Sequence, residues 1–456
     1  MGKYFGTDGV RGCANTVLTA EMAFNLGRAA ATAVAKQKNI NKINTDDKKP
    51  QILIGKDTRI SGDMLEAALA AGICSMGVDV VLLGVIPTPG VAVLCRSFNA
   101  LAGAVISASH NHFADNGIKF FLGDGNKLHD SLENEIEELL DNIDSLPRVE
   151  GAVVGRISTC PDALSTYETH LRNLQPDLTD LKGMKIVLDA ANGAAHSIAV
   201  SLFRSLGADL TAIHCCPDGC NINEGCGSTH PEELIKAVLS SGADIGIALD
   251  GDADRIIVVD ELGNLVDGDI ILAVCAAQLQ KEGLLENNKI VATIMSNMGL
   301  MLAMRALGIE VLETKVGDRY VIEGLREAGA VLGGEQSGHI IFTHFNTTGD
   351  GLATALYILH TMREAGQPLS ALAKIITKLP QELVNIRVRT KDGWQEDADI
   401  QAAIKKNSQL LAGRGRVVVR PSGTESLFRV MAEGDSPDEL KNIVNEIASV
   451  ISGKLC

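Results

Sequence analysis

The chain has 456 residues, room for three or four domains of roughly 100–200 residues each. It is 46% hydrophobic and 21% charged, which allows an ordinary buried core. A net charge of −16, with no long basic stretch, argues against nucleic acid or an anionic membrane as partner; an anionic substrate would have to be held locally, by Arg, Lys, backbone N–H groups or a metal.

The N-terminus, Met1-Gly2-Lys3-Tyr4-Phe5, shows no charged-then-apolar leader, and no apolar run reaches the roughly 18 residues that span a bilayer. Ten cysteines scattered without a secretion signal point to a reducing cytoplasm. The hydrophilic stretch Asn39 to Pro50 reads as an exposed loop. From Ile52 the chain repeats one pattern three times: apolar run, helix, glycine, apolar run. The copies are Ile52–Ile54, a helix through Met64 to Met76, Gly77 and Val78–Leu83; Ile186–Leu188, a helix to Leu206, Gly207 and a strand toward Ile213; and Ile290–Ala292, a helix to Leu307, Gly308 and Ile309–Leu312. Each reads as a βαβ unit, which favours a parallel sheet covered by helices. The remainder reads as a smaller α+β domain: Leu383 to Val388 alternates, Val417–Val419 and Phe428–Met431 are apolar, and Ser436-Pro437 opens a last helix. The fold class is therefore α/β, with three similar domains of mixed, largely parallel sheets plus the smaller C-terminal one. The expected divisions are 1–150, 151–260, 261–370 and 371–456.

Four loops carry chemistry, one in each division. Ser107-Ala108-Ser109-His110-Asn111-His112 follows the apolar run Leu101 to Ile106, at the strand end where open α/β sheets bind ligands. Without a Gly-x-Ser-x-Gly elbow, it does not suggest a serine hydrolase. Asp250-Gly251-Asp252-Ala253-Asp254-Arg255 also follows a strand; alternating carboxylates converge on one hard cation, and oxygen-only ligation suits Mg²⁺. An EF-hand fits poorly, because Arg255 occupies its sixth position, where a Gly is required, and a strand-like run, Ile256 to Val259, intervenes before Glu261 at the twelfth. Gly333-Gly334-Glu335-Gln336-Ser337-Gly338-His339 offers donors and acceptors for sugar hydroxyls. Arg420-Pro421-Ser422-Gly423-Thr424-Glu425-Ser426 is a plausible phosphate cradle. Cys215, Cys216, Cys220 and Cys226 lie close together, near His214 and His230, but at no zinc-finger spacing, and read as free thiols rather than a zinc site.

Together these loops resemble the α-D-phosphohexomutase family, from Gly6-Thr7-Asp8-Gly9-Val10-Arg11-Gly12 to the Arg420 loop. The resemblance implies four domains around a central cleft, with Ser109 as a phosphoserine. Asp250, Asp252 and Asp254, with Ser109, would hold one Mg²⁺. Glu335, Ser337 and His339 would bind sugar, and Arg420, Ser422, Gly423 and Thr424 phosphate; Gly317, Asp318 and Arg429 join the substrate-binding set. Lys119, in Asp115-Asn116-Gly117-Ile118-Lys119, would move protons, as would His339; His110 and Asn111 would hold the serine loop, and Arg11 and Arg255 would be active-site arginines. Gln336, Val316-Gly317-Asp318-Arg319-Tyr320 and Cys226-Gly227-Ser228-Thr229-His230-Pro231 look like the family's glucosamine branch. The implied reaction interconverts glucosamine 6-phosphate and 1-phosphate through a sugar 1,6-bisphosphate, feeding UDP-N-acetylglucosamine and cell-wall precursors. The alternatives are a glucose or mannose phosphate mutase of the same mechanism, a metal-dependent phosphatase and a non-catalytic phosphosugar binder. The expected partner is a phosphosugar and at most a second copy of the chain in a homodimer, with no nucleic acid and no membrane. His112 and Ser426 stand where the family usually has Pro, which questions the stiffness of those loops.

Overall fold

The computed structural model describes residues 2–6, 8–38, 49–175, 180–421 and 427–455. Most of the expected exposed loop, 39–48, and residues 422–426, with Ser422, Gly423, Thr424 and Ser426, lie outside them. The chain divides into two compact units, Met1–Thr293 with Leu312–Ala373, and Ile294–Val311 with Lys374–Cys456.

The first unit is built on three sheets. In the first, the strand order is Val10–Cys13, Asp115–Leu122, Ala102–Ile106, Gln51–Lys56, Asp79–Val85, Ile157–Thr159. The last four run parallel and the first two antiparallel to their neighbours. The second sheet runs Leu265–Val266, Ile256–Asp260, Ile245–Leu249, Lys185–Asp189, Asp209–Ile213, again with a parallel part and an antiparallel edge. The third runs Glu310–Thr314, Lys289–Thr293, Leu332–Gly334, Ile340–Phe342. Ala102–Ile106 and Ile245–Leu249 are buried at every position, which is why they read as unbroken apolar runs rather than as alternation.

Helices cover these sheets. Ala20–Gln37 starts on Thr19, whose hydroxyl accepts the Met22 N–H at 3.2 Å. Its Leu26 packs with Leu69 and Ile73 of Gly62–Cys74 and with Ile52, Ile54, Ala104 and Ile106 of the sheet. Each such fully buried side chain contributes about 1.5–3 kcal/mol. The three helix-end glycines read from the repeat, Gly77, Gly207 and Gly308, have φ of 85°, 87° and 71°, the left-handed conformation that turns a helix into the next strand. Ile157–Thr159, beyond the expected division at 150, adds a sixth strand to the first sheet. Three exposed residues on a sheet edge carry no alternation to announce them. Leu265–Val266 pairs back on Ile256–Asp260.

In the second unit, Gln381–Arg387, Leu427–Glu433 and Arg416–Pro421 form an antiparallel sheet. Helix Pro437–Leu455 lays Leu440, Val444, Ile447 and Ile451 against Ile386, Phe428 and Val430; that spacing of three and four residues is the helical apolar face. Helix Met298–Ala306 of the third repeat also falls in this unit. Its Met298 N–H donates to Glu433 Oε1 at 2.9 Å, and Arg416 Nε donates to Glu433 Oε2 at 2.8 Å, so a fully buried carboxylate is neutralised by a cation and a helix N-terminus.

No helix among the described residues is long and apolar enough to cross a membrane.

Candidate active site

The same turn recurs in each sheet of the first unit. A strand ends, the chain loops, and the next strand returns antiparallel, closing on the pairs Ile106 with Ile118, Leu249 with Ile256, and Gly334 with Ile340. The first three chemistry loops fill these turns, each at the carboxyl end of a strand.

Ser109 is buried and has φ of 52°, unusual for a residue with a side chain. Its N–H donates to Ser107 Oγ at 2.9 Å and its Oγ donates to Asp250 Oδ2 at 2.6 Å. Two side chains from elsewhere hold the loop. Arg59 Nη2 donates to the carbonyls of Ser109 (3.2 Å) and Asn111 (2.6 Å), and Asn223 Nδ2 donates to the same two at 2.9 and 3.1 Å. Arg59 is itself buried against Asp57. These clamps supply stiffness in a loop where His112 replaces the expected Pro; His112 is exposed. Gly251 makes the approach of the two loops possible: a Cβ there would sit 2.6 Å from the Ser109 carbonyl. His110 Nδ1 lies 3.4 Å from Ser109 Oγ. Burial, then the nearby Arg255 and Arg11, push His110 down to about 4, so it is neutral at neutral pH.

Asp250, Asp252 and Asp254 are all buried, with carboxylate oxygens within 4.8 Å of one another. Asp252 Oδ1 and Asp254 Oδ1 are buried and accept no hydrogen bond. Three buried carboxylates, two of them with an orphaned oxygen, call for a cation, and an all-oxygen set fits a hard divalent ion. The environment splits them. Burial and repulsion from Asp254 and Asp252 push Asp250 well up. Burial also opposes the charge on Asp254, but Lys119, His339 and Arg255 prevail and hold it below the carboxylate range.

Lys119, on the returning strand Asp115–Leu122, is buried with Nζ 2.6 Å from Asp252 Oδ2, 3.5 Å from Asp254 Oδ2 and 3.6 Å from Asp8 Oδ2. Burial disfavours its charge, but Asp252, Asp8 and Asp254 together raise its pKa, so it is an ammonium. Thr88 Oγ1 donates to the same Asp252 oxygen at 2.6 Å. Arg11 pairs with Asp8. The Arg255 N–H donates to Asp250 Oδ1 at 3.1 Å, and its guanidinium lies 3.9 Å from Asp254.

In the third loop, His339 is buried, with Nδ1 3.6 Å from Asp254 Oδ1 and Nε2 3.8 Å from Asp318 Oδ2. Nε2 accepts the Gly349 N–H at 3.1 Å, which places the ring proton on Nδ1, facing Asp254. Glu335 Oε1 accepts the Gly317 N–H at 3.0 Å, and Asp318 pairs with Lys127, whose Nζ also lies 2.5 Å from Asp8 Oδ1. Gly317 and Asp318 line a cavity of about 240 Å³ with Phe5 and Glu133. Ser337 is exposed at the tip of its turn.

The structure thus brings together Ser109, His110, Lys119, Arg11, the three aspartates, Arg255 and His339, and links Asp318 to them. Arg420 and Arg429 belong to the second unit, directly opposite each other on paired strands. Burial and the Arg429 charge depress the Arg420 pKa. Sequence reasoning missed Arg59, Asn223, Thr88 and Lys127. Asp57-Thr58-Arg59, directly after the strand Gln51–Lys56, was the one local signal available, because that strand end neighbours the end of Ala102–Ile106.

Four family models match the chain. They are phosphoglucomutase/phosphomannomutase alpha/beta/alpha domains I, II and III, over residues 2–147, 165–263 and 267–379, and the C-terminal domain over 383–450. Relatives named phosphoglucosamine mutase include those of Heliobacterium modesticaldum, 52% identical with 99% of each chain covered, and Desulforamulus reducens, 53% identical with 99% of each covered. Solved structures share the fold. A phosphoglucomutase/phosphomannomutase family protein from Burkholderia thailandensis has a TM-score of 0.80 at 24% identity, with 98% of this chain and 97% of that one covered. The N-acetylphosphoglucosamine mutase of Aspergillus fumigatus, solved with GlcNAc-6P and magnesium, has a TM-score of 0.66 at 17% identity, with 99% and 95% covered.

Proposed function

The chain belongs to the phosphoglucomutase/phosphomannomutase family, and we propose that it interconverts glucosamine 6-phosphate and glucosamine 1-phosphate. The observation that carries the mechanism is a buried serine hydroxyl hydrogen-bonded to one of three buried carboxylates. Ser109 is the phosphate carrier. A free sugar hydroxyl attacks the phosphorus of phosphoserine 109; the new sugar O–P bond forms, the Ser109 Oγ–P bond breaks, and the hydroxyl proton ends on Oγ. The 1,6-bisphosphate reorients, and Ser109 takes back the other phosphoryl group, losing its proton as it does so. Neutral His110, 3.4 Å from Oγ, is placed to receive that proton.

Lys119 and His339 serve different ends. As an ammonium amid three carboxylates, Lys119 donates rather than accepts, and its charge compensates the transferring group. His339 presents its Nδ1 proton to Asp254 and orients that carboxylate. Asp250, Asp252 and Asp254, with an oxygen of the Ser109 phosphate, would hold Mg²⁺, which when bound offsets charge on the phosphoryl group. Arg11 and Arg255 add positive charge at the same site. Glu335, Ser337, Gly317 and Asp318 bind the sugar, and Arg420 and Arg429, with Ser422, Gly423 and Thr424, the second phosphate. The scattered free cysteines fit a reducing cytoplasm, and the acidic net charge favours small phosphosugars over nucleic acid or membranes.

Intact mass should show one phosphate that Ser109→Ala lacks, and that variant should lose nearly all interconversion. A fully active Ser109→Ala enzyme overturns the mechanism. Comparing kcat/KM on glucosamine, glucose and mannose 6-phosphates tests the substrate; a preference for glucose or mannose would move the chain to another branch of the family.

A further inference from the structure

One group of ligand-type side chains lies outside the chemistry above. Asp189 ends the strand Lys185–Asp189, His214 follows the parallel neighbour Asp209–Ile213, and Cys226 precedes the short turn Gly227–Thr229. One ligand atom from each lies within 4.8 Å of the others. Asp189 and Cys226 are fully buried, and the His214 side chain is 22% exposed.

The hydrogen bonding around His214 is unusual. Its Nε2 lies 3.1 Å from Glu233 Oε2, so the ring proton belongs there. In that tautomer Nδ1 presents a lone pair; it is buried and lies 3.0 Å from Asp189 Oδ2. At that distance the ring nitrogen and the carboxylate oxygen share one positive centre between them, a proton on Nδ1 or a metal ion in its place. The outer shell of a metal centre is already built. Glu233 takes the far ring N–H, as carboxylates do behind metal-bound histidines, and Asp189 is oriented by the Ala191 and Gly227 N–H groups, each at 2.9 Å.

We propose that Asp189, His214 and Cys226 form a second metal site, for a zinc-type divalent cation. Oxygen, nitrogen and sulfur ligands together suit zinc and serve magnesium poorly. A tetrahedral ion takes its fourth ligand from solvent. Of the other clustered cysteines, Cys215 instead spends its Sγ–H on the Ile213 carbonyl.

The Asn223 N–H donates to the Ala191 carbonyl at 2.9 Å, and the Asn223 side chain holds the Ser109 loop, so an ion at Asp189 braces one of the two clamps on the serine. The site is read through metal content and spectra rather than turnover, so it stands or falls separately from the mutase reading.

The test is metal analysis of the full chain, equilibrated with micromolar Zn²⁺ in excess Mg²⁺ and freed of unbound ions, together with the absorption spectrum of the Co²⁺-loaded protein. Wild type and Cys215→Ser should retain one zinc per chain and show a thiolate-to-cobalt charge-transfer band. Cys226→Ser should lose both, and Glu233→Gln should bind zinc about 10–100-fold more weakly. Substoichiometric zinc and no thiolate band in wild type, or equal retention by Cys226→Ser, overturns the site. If circular dichroism shows Cys226→Ser unfolded, Glu233→Gln decides: unchanged affinity there overturns it equally.

Discussion

Asn223 offers a direct measure of how far catalysis depends on the pose of the serine loop. Ser109 holds a left-handed backbone, φ 52°, that costs of order 1–3 kcal/mol and persists only where the surroundings enforce it. Asn223 Nδ2 supplies two of the four hydrogen bonds that do so, at 2.9 and 3.1 Å; Arg59 supplies the others. At about 1 kcal/mol each, Asn223→Ala removes about 2 kcal/mol of preference for the observed loop. If all of it falls on the population of correctly placed serine, kcat drops by about 30-fold. Asn223 spends its side-chain amide on the serine loop rather than on the sugar-binding residues, so KM should hold. Arg59→Lys should lower kcat similarly, and the double variant should be non-additive, because both side chains serve the same two carbonyls. The assay is steady-state kinetics on glucosamine 6-phosphate with a catalytic amount of sugar 1,6-bisphosphate, with Ser109 phosphate occupancy followed by intact mass. A kcat within twofold of wild type, at equal phosphate occupancy, refutes the positioning argument.

Lys119→Met should leave Asp252 and Asp254 buried without their shared cation, at a cost of about 3–5 kcal/mol, and lower the melting temperature. Added Mg²⁺ should raise the melting temperature more in the variant than in wild type, because the ion replaces the missing charge; calorimetry with equal Mg²⁺ shifts would count against this. Glu133 is pushed up to about 7, by burial first and then by Glu137 and Asp8, against Lys127. With the folded value raised, its contribution is fully present below the ordinary glutamate pKa and lost as pH rises through about 7. Glu133→Gln should therefore gain in melting temperature relative to wild type between pH 5 and 8, and a pH-independent difference would contradict the assignment.

Local features were legible because their cause is local. The Asp triplet announces itself since i, i+2 and i+4 on one turn must gather three carboxylates. The repeat of strand, helix and glycine is legible because the left-handed step after a helix favours glycine, as at Gly77, Gly207 and Gly308. Ile157–Thr159 was not, because three exposed edge residues bury nothing. Ser337 shows the opposite limit: the motif flags the residue type, while its exposure follows from where the turn tip ends up.

Sequence alone determined the fold class, and it pointed to the four loops and, through the family resemblance, to Ser109 with the three aspartates, since each motif rests on neighbours a few residues away. Only the tertiary structure decided what holds them in place. Arg59 and Asn223 reach the Ser109 loop from 50 and 114 residues away, Thr88 reaches Asp252 across 164, and Lys127 reaches Asp318 across 191. It also took one cysteine from a cluster of four and set it beside a histidine and an aspartate from two other strand ends. Parallel sheets bring such strand ends together regardless of their separation in the chain, so no spacing rule can show which side chains will meet there.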